Sequence, residues 1–291
     1  MDAVMKRAAR RALVTGSGGF LGRRLVARLR ANGWDVVELG RANGFDLLSD
    51  ELPARAGDLV FHLAAETGVP DSWDNPARFH LVNTHGTVRV LDACRRAGAS
   101  LVFVGAYIYG VPVQLPISEA HPLDPNNPYA FSKWMAEQAC EWFARQYSMN
   151  VTAVRLFNVY GAGQSDRFIV PRILTQALDA SAPDIRLLDL EPRRDYLYVD
   201  DAVDALLASE SSGGYRLYNV GSGSSHSVQD VVDAVFAAVG SSKPVVATGE
   251  KRRNEIPDVR ADCSRLHADS GWSPRFSLEA GIRAMVQESP R

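Results

Sequence analysis

The sequence predicts an α/β protein built on a doubly wound parallel sheet, and three observations carry that expectation. Strand-like and helix-like segments alternate from residue 11 to about residue 156. Asp58-Leu59-Val60-Phe61-His62-Leu63-Ala64-Ala65 is an almost unbroken apolar strand, the kind that a parallel sheet covers on both faces. A glycine-rich turn, Gly16-Ser17-Gly18-Gly19-Phe20-Leu21-Gly22, stands directly between the first strand and the first helix.

Taken in order, Arg11 to Thr15 reads as a strand, Phe20 to Ala31 as a helix stopped by Asn32-Gly33, and Asp35 to Leu39 as a second strand. After the apolar third strand come a helix from about Pro76 to Ala97, a strand at Ser100 to Val104, a helix from Tyr129 to Tyr147 and a strand at Val151 to Leu156. Beyond residue 160 the pattern loosens into a helix near Val170 to Ala180 and short strands at Ile185 to Leu188 and Tyr196 to Tyr198. Ser227 to Val239 is an amphipathic helix whose Ser227 and Asp230 form a capping box. Residues 241–262 have loop composition.

The 291 residues allow two domains at about 150 residues each. The expected division is interleaved: 1–165 plus about 194–224 around the sheet, and about 166–193 plus 225–291 as a smaller α/β lobe that binds substrate. With 46% hydrophobic and 23% charged residues the chain can bury a large core, and a net charge of -2 leaves no basic excess to hold nucleic acid. Among the 32 positive charges only Lys6, Lys133, Lys243 and Lys251 are lysines. Cys94, Cys140 and Cys263 are too widely spaced for a disulfide framework or a metal site, so no metal is expected. No apolar run is long enough to span a bilayer and no apolar segment follows the basic N-terminus, which predicts a cytoplasmic protein without membrane attachment.

Glycines at that strand-to-helix turn let the backbone approach a pyrophosphate, while the helix offers free N–H groups and its positive dipole end. The context predicts a dinucleotide site. An acidic residue ending the second strand would accept from a ribose 2′-hydroxyl, yet the residues there are Leu39-Gly40-Arg41. Arg41 favours NADP over NAD, and Glu38 lies one step inside the strand. Asp46-Leu47 reads either as a bracket for the adenine or as an ordinary loop carboxylate and its neighbour.

Tyr129-Ala130-Phe131-Ser132-Lys133 puts a phenol and an ammonium one helical turn apart. The cation favours the phenolate and lowers the phenol from its ordinary value of about 10, making an acid/base for an alcohol or ketone. A solvated Tyr and Lys on a helix would show the same spacing, and the upstream cradle decides for chemistry.

Together with Thr15 through Gly22, His62-Leu63-Ala64-Ala65, Asn83-Thr84-His85-Gly86-Thr87, Tyr109-Gly110, Arg155 through Gly161, Arg194 through Asp201 and Tyr218 through Gly223, these residues resemble the extended short-chain dehydrogenase/reductase family, particularly its nucleotide-sugar epimerases and dehydratases. The resemblance runs from about residue 11 to 285. It implies a Rossmann domain with NAD(P) held by Gly16, Gly19, Phe20, Leu21, Gly22, Leu63, Ala64, Ala65, Asn83, Tyr129 and Lys133, with Tyr129 as acid/base and Lys133 on the nicotinamide ribose. It further implies a nucleotide-sugar bound by Asn158, Arg194 and Arg252, and a homodimer. Guanidinium forks suit diphosphate. Asp200-Asp201 is read as a helix start.

One departure stands out. Where the family carries Ser or Thr before the Tyr-Gly pair, this chain has Gly105, and the Asp-Glu that dehydratases add there is Ala106-Tyr107. Dehydration is thereby disfavoured. If Gly105 and Tyr107 continue the strand alternation, the Tyr107 hydroxyl takes over the missing role; otherwise Tyr107 packs. The leading expectation is a 4-epimerase acting through a transient keto-sugar. Its rivals are an NADPH-dependent keto-sugar reductase or a dehydratase and, from another class, a catalytically impaired binding protein.

Overall fold

The computed structural model describes residues 9–250 and 254–288. Its first half runs β1 (Arg11–Thr15), α1 (Phe20–Ala31), β2 (Asp35–Leu39), β3 (Leu59–His62), α2 (Val69–Asp74), α3 (Pro76–Phe79), α4 (Gly86–Ala97), β4 (Ser100–Ala106), α5 (Pro128–Tyr147) and β5 (Val151–Leu156). The rest runs β6 (Asn158–Tyr160), α6 (Ile169–Leu178), β7 (Ile185–Leu187), β8 (Arg193–Arg194), β9 (Tyr196–Tyr198), α7 (Val199–Ala208), β10 (Tyr215–Val220), β11 (His226–Ser227), α8 (Val228–Val239), β12 (Val245–Ala247), α9 (Ser264–Ser270) and α10 (Leu278–Glu288).

The central sheet has six strands in the order β10-β5-β4-β3-β1-β2. β1 pairs in parallel with both β2 and β3, and β3 with β4, so the doubly wound expectation holds. All four residues of β3 are buried, as its apolar run requires. The expected helix over 76–97 is three pieces: α3, a π-helical stretch His80–His85 and α4. Residues 241–262 are not all loop, because β12 pairs in parallel with β7.

Two compact units result, one comprising the chain through Gly105 with Asn127–Ala153 and Glu210–Arg216, the other Ala106–Asn126, Val154–Ser209 and the chain from Leu217. In the first, α5 starts on Asn127, whose side chain accepts from the Ala130 N–H at 2.9 Å, with Pro128 in the first turn. In the second, α7 starts at Val199, and the fully buried Asp201 does more than face a helix dipole: its carboxylate accepts from the Arg275 and Phe276 N–H groups, both at 2.9 Å. Among the described residues no helix is long and apolar enough to cross a membrane, and no cluster of three or more His, Cys, Asp or Glu side chains could hold a metal.

Candidate active site

The first unit carries the glycine turn. Gly16 has φ +70, and a Cβ there would lie 2.7 Å from the Ala64 nitrogen, so the turn and the loop after β3 touch backbone to backbone. A Cβ on Gly22 would lie 2.2 Å from the Gly16 carbonyl oxygen, which fixes glycine in the first turn of α1. Gly19 caps that helix without a side-chain hydrogen bond, leaving its first N–H groups unserved by any capping side chain. Beside it Ser17 is fully buried, and its Oγ has no hydrogen-bond partner among the described residues. An uncapped helix mouth, glycines that only glycine fits and an orphaned hydroxyl together suit a dinucleotide pyrophosphate.

Behind the turn runs a buried polar chain whose direction its ends dictate. The Ala64 N–H donates to Thr15 Oγ1 at 3.3 Å, and Thr15 Oγ1 lies 2.7 Å from His62 Nδ1. His62 Nε2 lies 3.0 Å from Thr87 Oγ1, which donates to the Asn83 carbonyl at 2.6 Å. An N–H begins the chain and a carbonyl closes it, so Thr15 donates to Nδ1 and the proton sits on Nε2. His62 is therefore neutral. Burial first, and the nearby Lys133 second, push it down to about 3.

Asn83, within the π-helical stretch, uses its amide on the protein. Its Oδ1 accepts from the Glu66 N–H at 2.8 Å, and its Nδ2 donates to the Glu66 carbonyl at 3.1 Å and to Ser132 Oγ at 3.0 Å. Ser132 in turn donates to the Tyr129 carbonyl at 2.8 Å. Asn83 thus ties the loop of Leu63, Ala64 and Ala65 to the first turn of α5. Tyr129 is half-buried, with its ring edge-on to Phe79 at 6.3 Å. Lys133 is buried, donates from Nζ to the Val104 carbonyl at 2.6 Å and lies over the Phe103 ring at 4.4 Å. Burial brings its ammonium down to about 8 against the opposing pull of Cys140 and Glu137.

At the far edge of the turn, Arg41 is exposed, while Glu38 pairs with Arg30 at 2.7 Å. Asp46 accepts from the Leu48 N–H at 2.9 Å, and Leu47 packs over Gly86.

The second unit organises around two buried polar centres that the sequence did not single out. Asp195 is fully buried and accepts from the Ser222 N–H and Oγ, the Gly223 N–H and the Ala261 N–H at 2.5 to 3.0 Å. Burial pushes its carboxyl upward and those donors oppose the shift. Arg155, also buried, donates to the Tyr109 hydroxyl at 2.7 Å, and Tyr109 donates to Asn219 at 2.5 Å. Arg155 stands inside the apolar strand β5, the sequence signal that finds it, whereas Asp195 follows Arg193-Arg194 between β8 and β9 and carries no such signal. Asn158 donates to the Asp195 carbonyl from its N–H at 3.1 Å and from Nδ2 at 3.4 Å. Arg194 is engaged with the Ile256 carbonyl at 2.6 Å and with the Glu255 carboxylate. Arg252 lies outside the described residues. Tyr107 follows the end of β4, donates its N–H to the Leu156 carbonyl at 3.2 Å and stacks on Phe157 at 5.4 Å.

With this geometry in view, comparison with known proteins is decisive. The NAD dependent epimerase/dehydratase family matches residues 12–221. The chain belongs to this family. Members of the NAD dependent epimerase/dehydratase family similar to it include the UDP-glucose 4-epimerase of Mycolicibacterium smegmatis, 33% identical over 95% of this chain and 97% of that one. The GDP-6-deoxy-D-mannose reductase of Pseudomonas aeruginosa is 32% identical over 96% of each. Among solved structures, MoeE5 in complex with UDP-glucose and NAD superposes with a TM-score of 0.86 at 30% identity, covering 95% of this chain and 97% of that one. The structure of RMD from Pseudomonas aeruginosa complexed with NADPH gives 0.85 at 30% identity, covering 96% and 97%. The epimerases, reductases and dehydratases of this NAD-dependent family are enzymes, and the doubly wound sheet is their shared scaffold.

Proposed function

We propose that the chain is an NAD(P)-dependent nucleotide-sugar 4-epimerase working through a transient keto-sugar. The observation that carries this is the uncapped glycine mouth sharing one unit with a buried Lys133 one helical turn from Tyr129, in a chain one-third identical to a UDP-glucose 4-epimerase. The proposed division is a dinucleotide-binding domain of 1–165 plus about 194–224 and a substrate lobe of about 166–193 plus 225–291.

In this reading Gly16, Gly19, Phe20, Leu21 and Gly22 cradle the pyrophosphate, with Leu63, Ala64 and Ala65 lining the site and Asn83 holding that loop in place. Bound NAD(P) supplies the acceptor and then the donor of a hydride at the sugar carbon. Tyr129 takes the proton of the sugar hydroxyl and later returns it. Lys133, fixed by the Val104 carbonyl, holds the ribose and favours the phenolate. Asn158, Arg194 and Arg252 contact the nucleotide-sugar, which requires Arg194 to offer its fork while Glu255 braces it. For Tyr107, which lies beyond the end of β4 and stacks on Phe157, the proposed role of supplying the hydroxyl that Gly105 lacks competes with plain packing; turnover within twofold in Tyr107→Phe removes that role. The enzyme is read as a cytoplasmic homodimer, which light scattering of the purified protein tests.

A second reading, a keto-sugar reductase using NADPH, is favoured by the exposed Arg41 and by Arg30 occupying the Glu38 carboxylate. One experiment separates the two. UDP- and GDP-sugars are incubated with the enzyme while cofactor oxidation and sugar configuration are followed together. The epimerase interconverts sugars with no net cofactor change, and the reductase consumes one equivalent per product. No turnover that Tyr129→Phe abolishes, with ligand binding intact, would make the chain a binding protein.

A further inference from the structure

Between β2 and β3, where a doubly wound fold places a crossover helix, this chain runs residues 40–58 with only one short 3-10 turn, Arg41–Asn43. Gly44 at φ +76, Pro53 and Gly57 at φ +81 interrupt any long helix, so the backbone groups of this stretch are served by short turns, such as the Asp50 N–H on the Asp46 carbonyl at 2.9 Å, and by side chains from outside it. The outside side chains that serve its carbonyls include Arg89 and Arg11. Arg89 on α4 donates from Nε to the Leu47 carbonyl at 3.0 Å and from Nη2 to the Asp50 carbonyl at 2.9 Å. Arg11 on β1 reaches the Pro53 carbonyl at 3.3 Å, and Arg96 on the same helix as Arg89 pairs with the Glu51 carboxylate at 2.8 Å. Among the described residues, Arg89 is the arginine that reaches the segment of Asp46 and Leu47, through the Leu47 carbonyl. There a half-open pocket of about 190 Å3, lined by Phe45, Leu47, Asp50, Arg89, Val90 and Ala93 among others, lies between the loop and α4. The Asp46–Asp50 turn is closed by its own Asp46 N–H on the Asp50 carboxylate at 2.7 Å and Asp50 N–H on the Asp46 carbonyl at 2.9 Å, and the two guanidinium hydrogen bonds tie that turn to α4. Leu47 is also pressed onto Gly86, where a Cβ would lie 2.6 Å from Leu47 Cδ2.

We infer that Arg89 is a positioning residue for the adenosine half of the cofactor site, acting by fixing the Leu47 and Asp50 carbonyls and through them the Asp46-Leu47 segment. The inference rests on the dinucleotide reading proposed above and on Asp46-Leu47 bracketing the adenine. A planar fork can span two carbonyls three residues apart; a lysine ammonium serves the same pair poorly. The excess of arginine over lysine therefore has a structural use here.

The test measures binding of ADP and of NAD(P) by calorimetry, with steady-state kinetics, for the wild type, Arg89→Met, Arg89→Lys and Arg95→Gln. Arg95 pairs with Asp92 on its own helix at 2.9 Å and serves as the control. Losing two hydrogen bonds from a charged donor is expected to weaken ADP about tenfold in Arg89→Met. The KM for NAD(P) should rise by the same factor while kcat at saturating cofactor stays within about twofold, a split that general destabilisation does not produce. Arg89→Lys is expected to lose about fivefold and decides the matter should Arg89→Met not fold. ADP affinity within about twofold of wild type in either folded Arg89 variant, or an equal loss in Arg95→Gln, overturns the inference while leaving the cofactor reading intact. Failure of the wild type to bind ADP or NAD(P) overturns the cofactor reading and the inference with it.

Discussion

The N-termini of α1 and α8 meet the same problem in opposite ways. Each helix begins with backbone N–H groups that no intrahelical carbonyl can serve. At α8, Ser227 Oγ accepts from the Asp230 N–H at 3.0 Å and Asp230 accepts from the Ser227 N–H at 2.8 Å, closing the end with the chain's own side chains. At α1, Gly19 offers no side chain, no acidic residue stands in the first turn, and the buried Ser17 hydroxyl nearby has no partner among the described residues. A closed helix mouth is structural, and one left open beside an orphaned hydroxyl is a place for an anion.

Four changes break or sharpen that contrast. Tyr129→Phe leaves both helix ends untouched, and turnover should fall by about 10²- to 10⁴-fold with cofactor still bound. Retained turnover would separate the chemistry from the unit with the open mouth. Gly22→Ala puts a methyl 2.2 Å from the Gly16 carbonyl oxygen and is expected to weaken cofactor by about tenfold or more, as calorimetry would show.

The third change is pH. Because folded His62 is held near 3, below its unfolded value, the unfolded chain takes up a proton first as pH falls through 6.5. Stability is then full above pH 6.5 and is lost progressively toward pH 3, by about 2 kcal/mol at pH 5 from this residue. Denaturant titrations at pH 7.5 and pH 5 should show a smaller difference in His62→Gln than in the wild type. Ser227→Ala is expected to cost the least, about 1 kcal/mol, with cofactor affinity unchanged. Loss of cofactor affinity there would erase the distinction between the two helix ends.

The parts legible in the sequence are those whose physics is local. Apolar runs gave β1 through β5 their places, the spacing of Ser227 and Asp230 announced their capping box, and the glycines at 16 and 22 marked close backbone approach. Less was legible where the partner is remote in the chain. Nothing near Arg194 announces Glu255, and nothing in Val245 to Ala247 announces pairing with β7. His62 and Asp195 stood within recognised motifs, but their roles emerged only from Thr15 and Thr87 in one case and Ser222, Gly223 and Ala261 in the other.

By itself, then, the sequence determined the doubly wound sheet, the glycine mouth and the Tyr129–Lys133 pair, because periodicity, backbone freedom and one helical turn act over a few residues. Only the tertiary structure decided which polar groups are satisfied. It fixed the proton of His62 on Nε2, assigned the amide of Asn83 to a loop and the forks of Arg89 and Arg194 to distant partners, and left the Ser17 hydroxyl without a partner among the described residues. Burial makes each hydrogen bond obligatory, and its partner is chosen by the packing of the whole fold.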